Sequence, residues 1–304
     1  MRRKQAPFTP QMTIPQWEAL FPDDDACKAY LAARRWPNGV RCPRCNSENV
    51  YKLTTRPFHW ECPDCRKGGA YRFSVLVETI FEDTKVGLRQ WFKVIYLMLT
   101  SKKGISSLQV QRIMGFGSYH TAHYMTHRVR AGLIDPNFRK LMGIVEADET
   151  FVGGKAKNRH KDKRGGPGRG GMGSGKTPVA GAVERDGNAV ARVLNNVRAD
   201  TLTSFVREAV STKVSLLVTD EWVGYNRVTD EYPHEIIRHT MGEYVVGAIH
   251  TNTIEGFWSL IKRGIVGTFH NVSRKYLPLY VAEFEFRYNN RKNADIFGAA
   301  IAAC

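Results

Sequence analysis

No stretch of this 304-residue sequence is long and apolar enough to cross a membrane. The longest mainly apolar run, residues 91–99, is about half of the roughly 20 residues that a membrane-spanning helix needs. The basic first residues lack the apolar stretch of a secretory signal peptide. These absences predict a cytoplasmic protein with no membrane partner. Cysteines stay reduced in that compartment, so clustered cysteines are expected to bind metal rather than to form disulfides.

Acidic residues are scarce relative to basic ones. The chain has 45 Lys and Arg against 29 Asp and Glu, which gives a net charge of +16. An excess of this sign favours a polyanionic partner, because the summed field of the surface attracts negative charge. Nucleic acid, an anionic membrane surface and solubility alone are the alternatives. With 42% hydrophobic and 24% charged residues, the composition excludes disorder throughout the chain.

Four segments of different character follow one another, and together they predict an α/β fold class. They are an N-terminal helical segment (1–38, with a helix over 15–34), a cysteine-bearing module (39–78), a helical module (84–140, with a long helix over 88–100) and a mixed α/β region (141–304). In the last segment we predict strands over 144–152, 179–183, 190–197 and 214–219, a helix over 201–210, and helices from 253 onward. Residues 155–177 are basic and glycine-rich, which predicts a loop without a core of its own.

Four of the six cysteines form two pairs with metal-ligand spacing. Two residues separate the members of each pair and 16 residues separate the pairs, which are Cys42 with Cys45 and Cys62 with Cys65. This spacing is typical of a tetrahedral Zn²⁺ site. Four thiolates leave no open coordination position, so we predict one structural zinc ion in a zinc ribbon. Redox dithiols and accidental spacing are the alternatives.

The helical module contains two short predicted helices around a glycine-containing turn. The helices cover residues 105–115 and 119–133, and Ser118 is placed to cap the second. This arrangement is typical of a helix-turn-helix, whose second helix enters the major groove of DNA. We expect that helix to expose Tyr119, His120, His123, His127, Arg128 and Arg130, and we predict that the two arginines bind DNA. A helical hairpin that only packs is the alternative.

Three acidic residues occupy positions where a carboxylate can act on a ligand. Asp148 lies in an apolar predicted strand, Asp220 ends a buried one, and Glu255 opens an amphipathic helix. Ligands of α/β sheets bind at the carboxyl ends of strands. Carboxylates without nearby histidine or cysteine suit Mg²⁺ or Mn²⁺, and three of them can hold two such ions for phosphoryl transfer. Each acid could instead be a solvated strand-end or helix-capping carboxylate.

The spacing of these acids resembles that of a known family. Between Asp220 and Glu255 lie 34 residues, and Lys262 follows seven residues after Glu255. This resembles the D-D-(34/35)-E pattern, followed by Lys or Arg, of insertion-sequence DDE transposases with an RNase H-like catalytic domain. One bacterial subgroup, which carries an N-terminal zinc ribbon, is similar over its three catalytic blocks and its closing helix: residues 148–155, 219–225, 250–258 and 284–291. The resemblance covers about residues 13–293.

The resemblance implies a transposase that cuts DNA at inverted-repeat ends and joins the freed 3′-hydroxyl to target DNA. Asp148, Asp220 and Glu255 would be catalytic and hold two Mg²⁺ or Mn²⁺ ions, and Lys262 would bind DNA beside them. A homodimer or larger assembly on DNA, at the nucleoid, is also implied. The alternative function is that of a catalytically inactive, transposase-derived DNA-binding regulator.

Further acids lie close to the proposed ligands. Glu146 and Glu149 flank Asp148 in sequence, and Glu221 directly follows Asp220. Each of these carboxylates could add to the ligand set, so the number of metal ligands stays open at this point.

Residues 170–177 match the phosphate-loop pattern G-x-x-x-x-G-K-[ST]. Such a loop lies between a strand and a helix, whereas here a basic glycine-rich segment precedes the motif and a predicted strand follows it. We therefore predict no ATP binding. Lys155, Arg164 and Arg169 of the basic loop are predicted instead to contact DNA phosphates.

Overall fold

The structure is a computed structural model that describes residues 12–65, 70–154, 176–225, 227–228, 231–237 and 252–304. The chain forms two compact units. The first comprises Met1–Leu133 and Arg291–Cys304, and the second comprises Ile134–Asn290. Among the described residues, none of the helices has the length and apolar character that a membrane crossing requires.

The first unit begins with two helices where a single one was predicted over 15–34. Helix α1 (Ile14–Leu20) and helix α2 (Asp24–Arg35) are separate elements. Pro22 lies between them, and proline cannot donate the backbone hydrogen bond that would continue a helix. Asp23 then caps α2, because its side chain accepts a hydrogen bond from the backbone N–H of Ala26 at 2.8 Å. The predicted continuity of the helix is therefore wrong.

A small antiparallel sheet follows α2. Its strands are β1 (Tyr51–Lys52), β2 (His59–Cys62) and β3 (Tyr71–Ser74), in the order β1-β2-β3. Trp60 and Phe73 are cross-strand partners whose rings stack 5.9 Å apart, and Trp36 contacts Trp60 edge-on at 5.2 Å. A sheet of this size buries little apolar surface. Its stability therefore depends on this aromatic cluster and on the cysteine site.

Three helices complete the region before the second unit: α3 (Leu88–Thr100), α4 (Ser107–Met114) and α5 (Tyr119–Gly132). Helix α3 has the predicted bounds. Ser118 caps α5 by accepting a hydrogen bond from the N–H of His120 at 3.1 Å. Gly115 ends α4 with a φ of 67°, a left-handed conformation that carries no steric penalty for glycine. The predicted pair of helices around a glycine turn is confirmed.

The second unit is built on a five-stranded mixed sheet. Its strands are β4 (Ile144–Val152), β5 (Thr177–Glu184), β6 (Ala189–Val193), β7 (Leu216–Asp220) and β8 (His234–Ile237), in the order β6-β5-β4-β7-β8. The β6, β5 and β4 strands are antiparallel neighbours, whereas β4, β7 and β8 run parallel. This mixed sheet is the one expected of an RNase H-like domain, so the predicted fold class is confirmed. The sequence did not predict β8.

Helices cover both faces of the sheet. They are α6 (Ala199–Ala209) on one face, and α7 (Asn252–Gly264) and α8 (Leu277–Asn289) on the other. Val145 and Ala147 of β4 belong to the core under α6. Since side chains alternate along a strand, the even-numbered residues of β4 point toward α7 instead. Strand β4 therefore presents apolar residues and Glu149 to α6, and it presents the acids Glu146 and Asp148 to α7.

The last helix, α9 (Ile296–Ala303), belongs to the first unit. Residues 291–304 were predicted to belong to the α/β region, whereas in the structure they are part of the first unit. Phe297 is 1% exposed and lies among three aromatic rings of the first unit, with centroid distances of 5.5 Å to Phe21, 5.8 Å to Phe92 and 6.2 Å to Tyr30. Helix α9 therefore packs against residues that are far away in sequence. Local sequence patterns do not reveal long-range contacts of this kind.

Replacing Phe297 by alanine is expected to destabilise the first unit by about 3–5 kcal/mol, the usual cost of removing a buried aromatic ring. Urea unfolding followed by tryptophan fluorescence measures this, because Trp17 and Trp91 are buried in that unit. The control is Ala303→Ser, at an exposed position of the same helix. A loss below about 0.5 kcal/mol for Phe297→Ala would show that α9 does not contribute to this core.

Candidate active site and metal centre

The four predicted cysteine ligands converge on one point. Their Sγ atoms all lie within 4.8 Å of one another, and the Cys42–Cys65 and Cys45–Cys62 pairs are each 3.6 Å apart. Sulfurs about 2.3 Å from a tetrahedral zinc ion lie about 3.8 Å from one another, so the four thiols fit zinc. Asn46, with a φ of 58°, donates its backbone N–H to the Cys42 carbonyl at 2.8 Å. This tight turn aims the first two sulfurs at one point.

Asp148 and Asp220 lie on neighbouring parallel strands. The register of β4 and β7 pairs Glu146 with Val218, and continuing it by two residues places Asp148 opposite Asp220. Parallel neighbours are about 4.8 Å apart, and residues opposite one another share a face of the sheet. The two carboxylates are therefore held side by side at the carboxyl end of β7.

Burial, and after it the negative charge of Asp220, raise the pKa of Asp148 to about 6. Three interactions lower this pKa: a hydrogen bond from the backbone N–H of Glu149, the indole N–H of Trp258, which donates to Asp148 Oδ2 at 2.9 Å, and the positive charge of Lys262. A buried carboxylate next to a second one is costly without a counterion. The site is therefore prepared for a cation, which would relieve the repulsion.

Glu149 is the next residue of β4. Its side chain lies on the other face of the strand, but the negative charges of Asp148 and Asp220 still act on it. Burial raises its pKa to about 7, with further contributions from the charges of Asp220 and Asp148. Tyr225, which is 1% exposed, donates its hydroxyl to Glu149 Oε2 at 3.0 Å. The Tyr225 contact turns Glu149 toward the core under α6, so it contributes charge to the site from behind the strand.

Helix α7 carries the remaining predicted residues. Glu255 lies in its first turn and Lys262 in its last, and both side chains are exposed. Among the described residues, only the four cysteines form a group of three or more potential ligands whose atoms all lie within 4.8 Å of one another. The charges of Asp220 and Lys262 both act on the pKa of Asp148, whereas the carboxylate oxygens of Asp148, Asp220 and Glu255 do not all lie within 4.8 Å of one another.

Trp258 is a further residue of the site, and its spacing from Ile254 and Ile261 marks it in the sequence only as one of the apolar residues of α7. Its ring lies against Gly181, the residue of β5 that pairs with Asp148, and a Cβ at Gly181 would be 2.6 Å from that ring. No local pattern shows that an indole nitrogen in an apolar stripe will reach a carboxylate on another strand. A glycine inside a strand, which often marks a close approach, is the one available signal.

The predicted DNA-binding residues of α5 are placed differently from expectation. Tyr119 and His120 are exposed, and Arg128, partly exposed, donates to the hydroxyl of Tyr124. His127 and Arg130 are buried, at 9% and 0% exposure, so the prediction that they are exposed is wrong. They lie on the side of α5 that packs against α3 and α4, where apolar residues were expected.

The predicted DNA contacts of the basic loop, Lys155, Arg164 and Arg169, lie outside the described residues. The phosphate-loop pattern over 170–177 ends at Thr177, which begins β5 rather than a helix. The structural context that an ATP-binding loop requires is therefore absent on the described side of the motif.

Comparison with known proteins identifies the family. Residues 140–289 match the family model of the ISXO2-like transposase domain, and residues 22–68 match that of the transposase zinc-ribbon domain. An uncharacterized protein in transposable element ISH50 of Halobacterium salinarum is 32% identical over 268 residues, which are 84% of this chain and 88% of the relative. The chain belongs to the ISXO2-like transposase family. These matches do not favour the alternative of an inactive regulator.

The two family matches span the sites of the transposase. The zinc-ribbon match includes all four cysteines, and the transposase-domain match includes Asp148, Asp220, Glu255 and Lys262. Among solved structures, the chain is similar to a chain of the simian T-cell lymphotropic virus intasome in complex with PP2A regulatory subunit B56 gamma. The match covers 59% of this chain and 67% of the intasome chain, with 13% sequence identity and a TM-score of 0.29. That likeness is too weak to carry an argument.

The zinc ribbon of the transposase is expected to hold one zinc ion per chain, and Cys62→Ser to lose it. Serine is a poor zinc ligand, and three thiolates leave the site open to exchange. Elemental analysis of the purified protein measures the ratio, which should fall from about one to near zero. Cys304→Ser is the control, because Cys304 lies outside the cysteine cluster. Equal zinc contents in the Cys62 variant and the wild type would contradict the assignment.

Asp148→Asn is expected to stabilise the transposase when no divalent cation is present. The pKa of Asp148 is raised from 3.8 to about 6, so its charged form opposes folding and the wild type loses stability as pH rises from about 4 to about 6. The variant should gain about 2–3 kcal/mol near pH 8 and only about 0.5 kcal/mol near pH 4, where the group is protonated in the folded chain and partly protonated in the unfolded one. Chemical denaturation at both pH values measures the difference. An equal or lower stability of the variant near pH 8 would contradict the electrostatic account.

Proposed function

We propose that this transposase is a metal-dependent DNA strand-transfer enzyme whose catalytic residues are Asp148, Asp220 and Glu255. The observation that carries the proposal is the placement of Asp148 beside Asp220 on adjacent parallel strands, where burial and mutual repulsion raise the pKa of Asp148. Perturbed carboxylates of this kind are typical of functional sites, because a structural role alone would favour neutral residues there. Family membership supplies the reaction class.

The donor set supports Mg²⁺ or Mn²⁺ as the cofactor. Asp148, Asp220 and Glu255 offer only carboxylate oxygens, which hard divalent cations prefer. Two such ions, when bound, would supply activation of the attacking oxygen and stabilisation of the leaving oxygen in phosphoryl transfer. Trp258 contributes by fixing the orientation of Asp148 through its indole N–H.

Two displacements at phosphorus account for the proposed reaction. Water attacks the phosphodiester at the end of the element, the bond from phosphorus to the 3′-oxygen breaks, and a free 3′-hydroxyl remains. That hydroxyl then attacks a phosphodiester of the target, forms a new phosphodiester and releases a target 3′-hydroxyl. Lys262, exposed on α7 near Asp148, is placed to bind a DNA phosphate during both displacements.

DNA binding outside the catalytic centre rests on charge and on helices α4 and α5. The net charge of +16 supports a nucleic-acid partner, and Arg128 with the exposed start of α5 is the described part of the proposed interface. Lys155, Arg164 and Arg169 are proposed to add phosphate contacts. We further propose that two or more copies act together on paired inverted repeats, at the nucleoid in the cytoplasm.

Nicking of supercoiled plasmid and of duplex DNA carrying the element ends, with Mn²⁺ or Mg²⁺, tests the proposal. Asp220→Asn should lower the rate at least about 100-fold, which corresponds to about 2.7 kcal/mol of lost transition-state stabilisation. The loss is expected because an amide binds a hard cation poorly and removes the charge beside Asp148. DNA affinity and zinc content should stay at the wild-type level.

Glu235→Gln is the matched control, since it removes an exposed carboxylate from β8 of the same sheet. It should nick at the wild-type rate. Equal nicking by Asp220→Asn and the wild type would mean that the activity comes from a contaminant or from other residues. Tight DNA binding without nicking by the wild type on its own element ends would overturn the proposed enzymatic function.

A further inference from the structure

Glu146 is an acid of the first catalytic block that the proposed reaction does not use. Its side chain is fully buried, at 0% exposure. Glu146 Oε2 accepts hydrogen bonds from the backbone N–H groups of Thr253 and Ile254, at 2.9 and 3.0 Å. Its Oε1 accepts from the Thr253 hydroxyl at 2.9 Å and from Arg185 Nε at 2.8 Å. Four donors therefore converge on one carboxylate.

The positions of these donors indicate the structural role of the Glu146 carboxylate. The N–H groups in the first turn of a helix have no partner within the helix, and that end also carries partial positive charge. Thr253 and Ile254 are in the first turn of α7, so Glu146 caps this helix from a different strand, over 100 residues away in sequence. A carboxylate has about four lone-pair sites, and the four donors occupy them. No lone pair is left for a metal ion.

A second contact fixes α7 one turn further along. Trp258 donates its indole N–H to Asp148, and its ring fills the space above Gly181. Glu146 and Asp148 are two residues apart on β4 and point to the same face of the sheet. The strand thus holds α7 at two points, and Glu255 lies between them.

We propose that Glu146 is a positioning residue of the active site. It is not a metal ligand; it docks the first turn of α7 on β4 and so sets the position of Glu255 relative to Asp148. This inference rests on the proposed function, because the position of Glu255 matters to catalysis only if the three carboxylates hold a divalent cation. It also answers the question left by the sequence, where Glu146 could be counted as a further ligand.

The full-length variant Glu146→Gln tests this in two independent measurements. Glutamine places an NH₂ group opposite N–H donors, so the contact between β4 and the first turn of α7 is weakened while the volume of the side chain is kept. Hydrogen exchange in the peptide covering the first turn of α7, measured without added divalent cations, should become about tenfold faster. The Mn²⁺ concentration that gives half-maximal nicking should rise about tenfold or more, as when a residue that orients a metal ligand is removed. Zinc content and DNA affinity should not change.

The two measurements separate the possible roles. A metal ligand would raise the Mn²⁺ requirement without changing exchange in the metal-free protein, and that result would overturn the proposal. Wild-type behaviour in both measurements would overturn it as well. Faster exchange with an unchanged Mn²⁺ requirement would show that Glu146 docks α7 without serving the active site, which also contradicts it. Glu235→Gln serves as the control and should leave both quantities unchanged.

A second variant covers the case in which Glu146→Gln does not fold. Thr253→Val removes only the hydroxyl donor to Glu146 Oε1 and keeps both backbone hydrogen bonds. It should produce the same pair of changes at about two- to threefold, and no change in either would overturn the proposal. If the wild type itself does not nick DNA, the proposed function fails, whereas hydrogen exchange still decides whether Glu146 docks α7.

Discussion

Parallel hydrogen bonding between β4 and β7 is the constraint on which the second unit depends. It joins two segments that are far apart in the chain and fixes their register, and this brings Asp220 near enough for its charge to act on Asp148. That arrangement is unfavourable by itself, since two carboxylates share one buried environment. The apolar cores on both faces of the sheet offset this cost, and they keep the strands from shifting to relieve it.

Features with a local signal could be predicted from the sequence. The bounds of β4 and α3 follow from periodic apolar residues, and the cysteine site follows from spacing alone, because a four-thiolate centre needs little beyond two tight turns. In each case the physical cause lies within a few residues of the pattern.

Features that depend on a distant partner could not be predicted. Arg130 carries a charge and looks like a DNA-binding residue, yet it is buried because α5 packs against α3 and α4. The sequence marks Glu146 as one more acid near Asp148, and only the fold shows that its partners are the first N–H groups of α7. Composition and periodicity carry no information on such pairings, since these signals describe a segment without its neighbours.

Because α9 follows the second unit in sequence but packs in the first, its position affects the order in which the first unit folds. During synthesis, domains usually fold as they leave the ribosome, beginning with the N-terminal one. Here the aromatic core around Phe21 and Phe92 lacks Phe297 until the whole second unit has been translated. The helices that precede the sheet of the second unit therefore complete their packing only after Phe297 has been translated. A chain that stops before Phe297 would keep the cysteine site and the helices of the first unit but would leave the space of this buried ring unfilled, which destabilises their shared core.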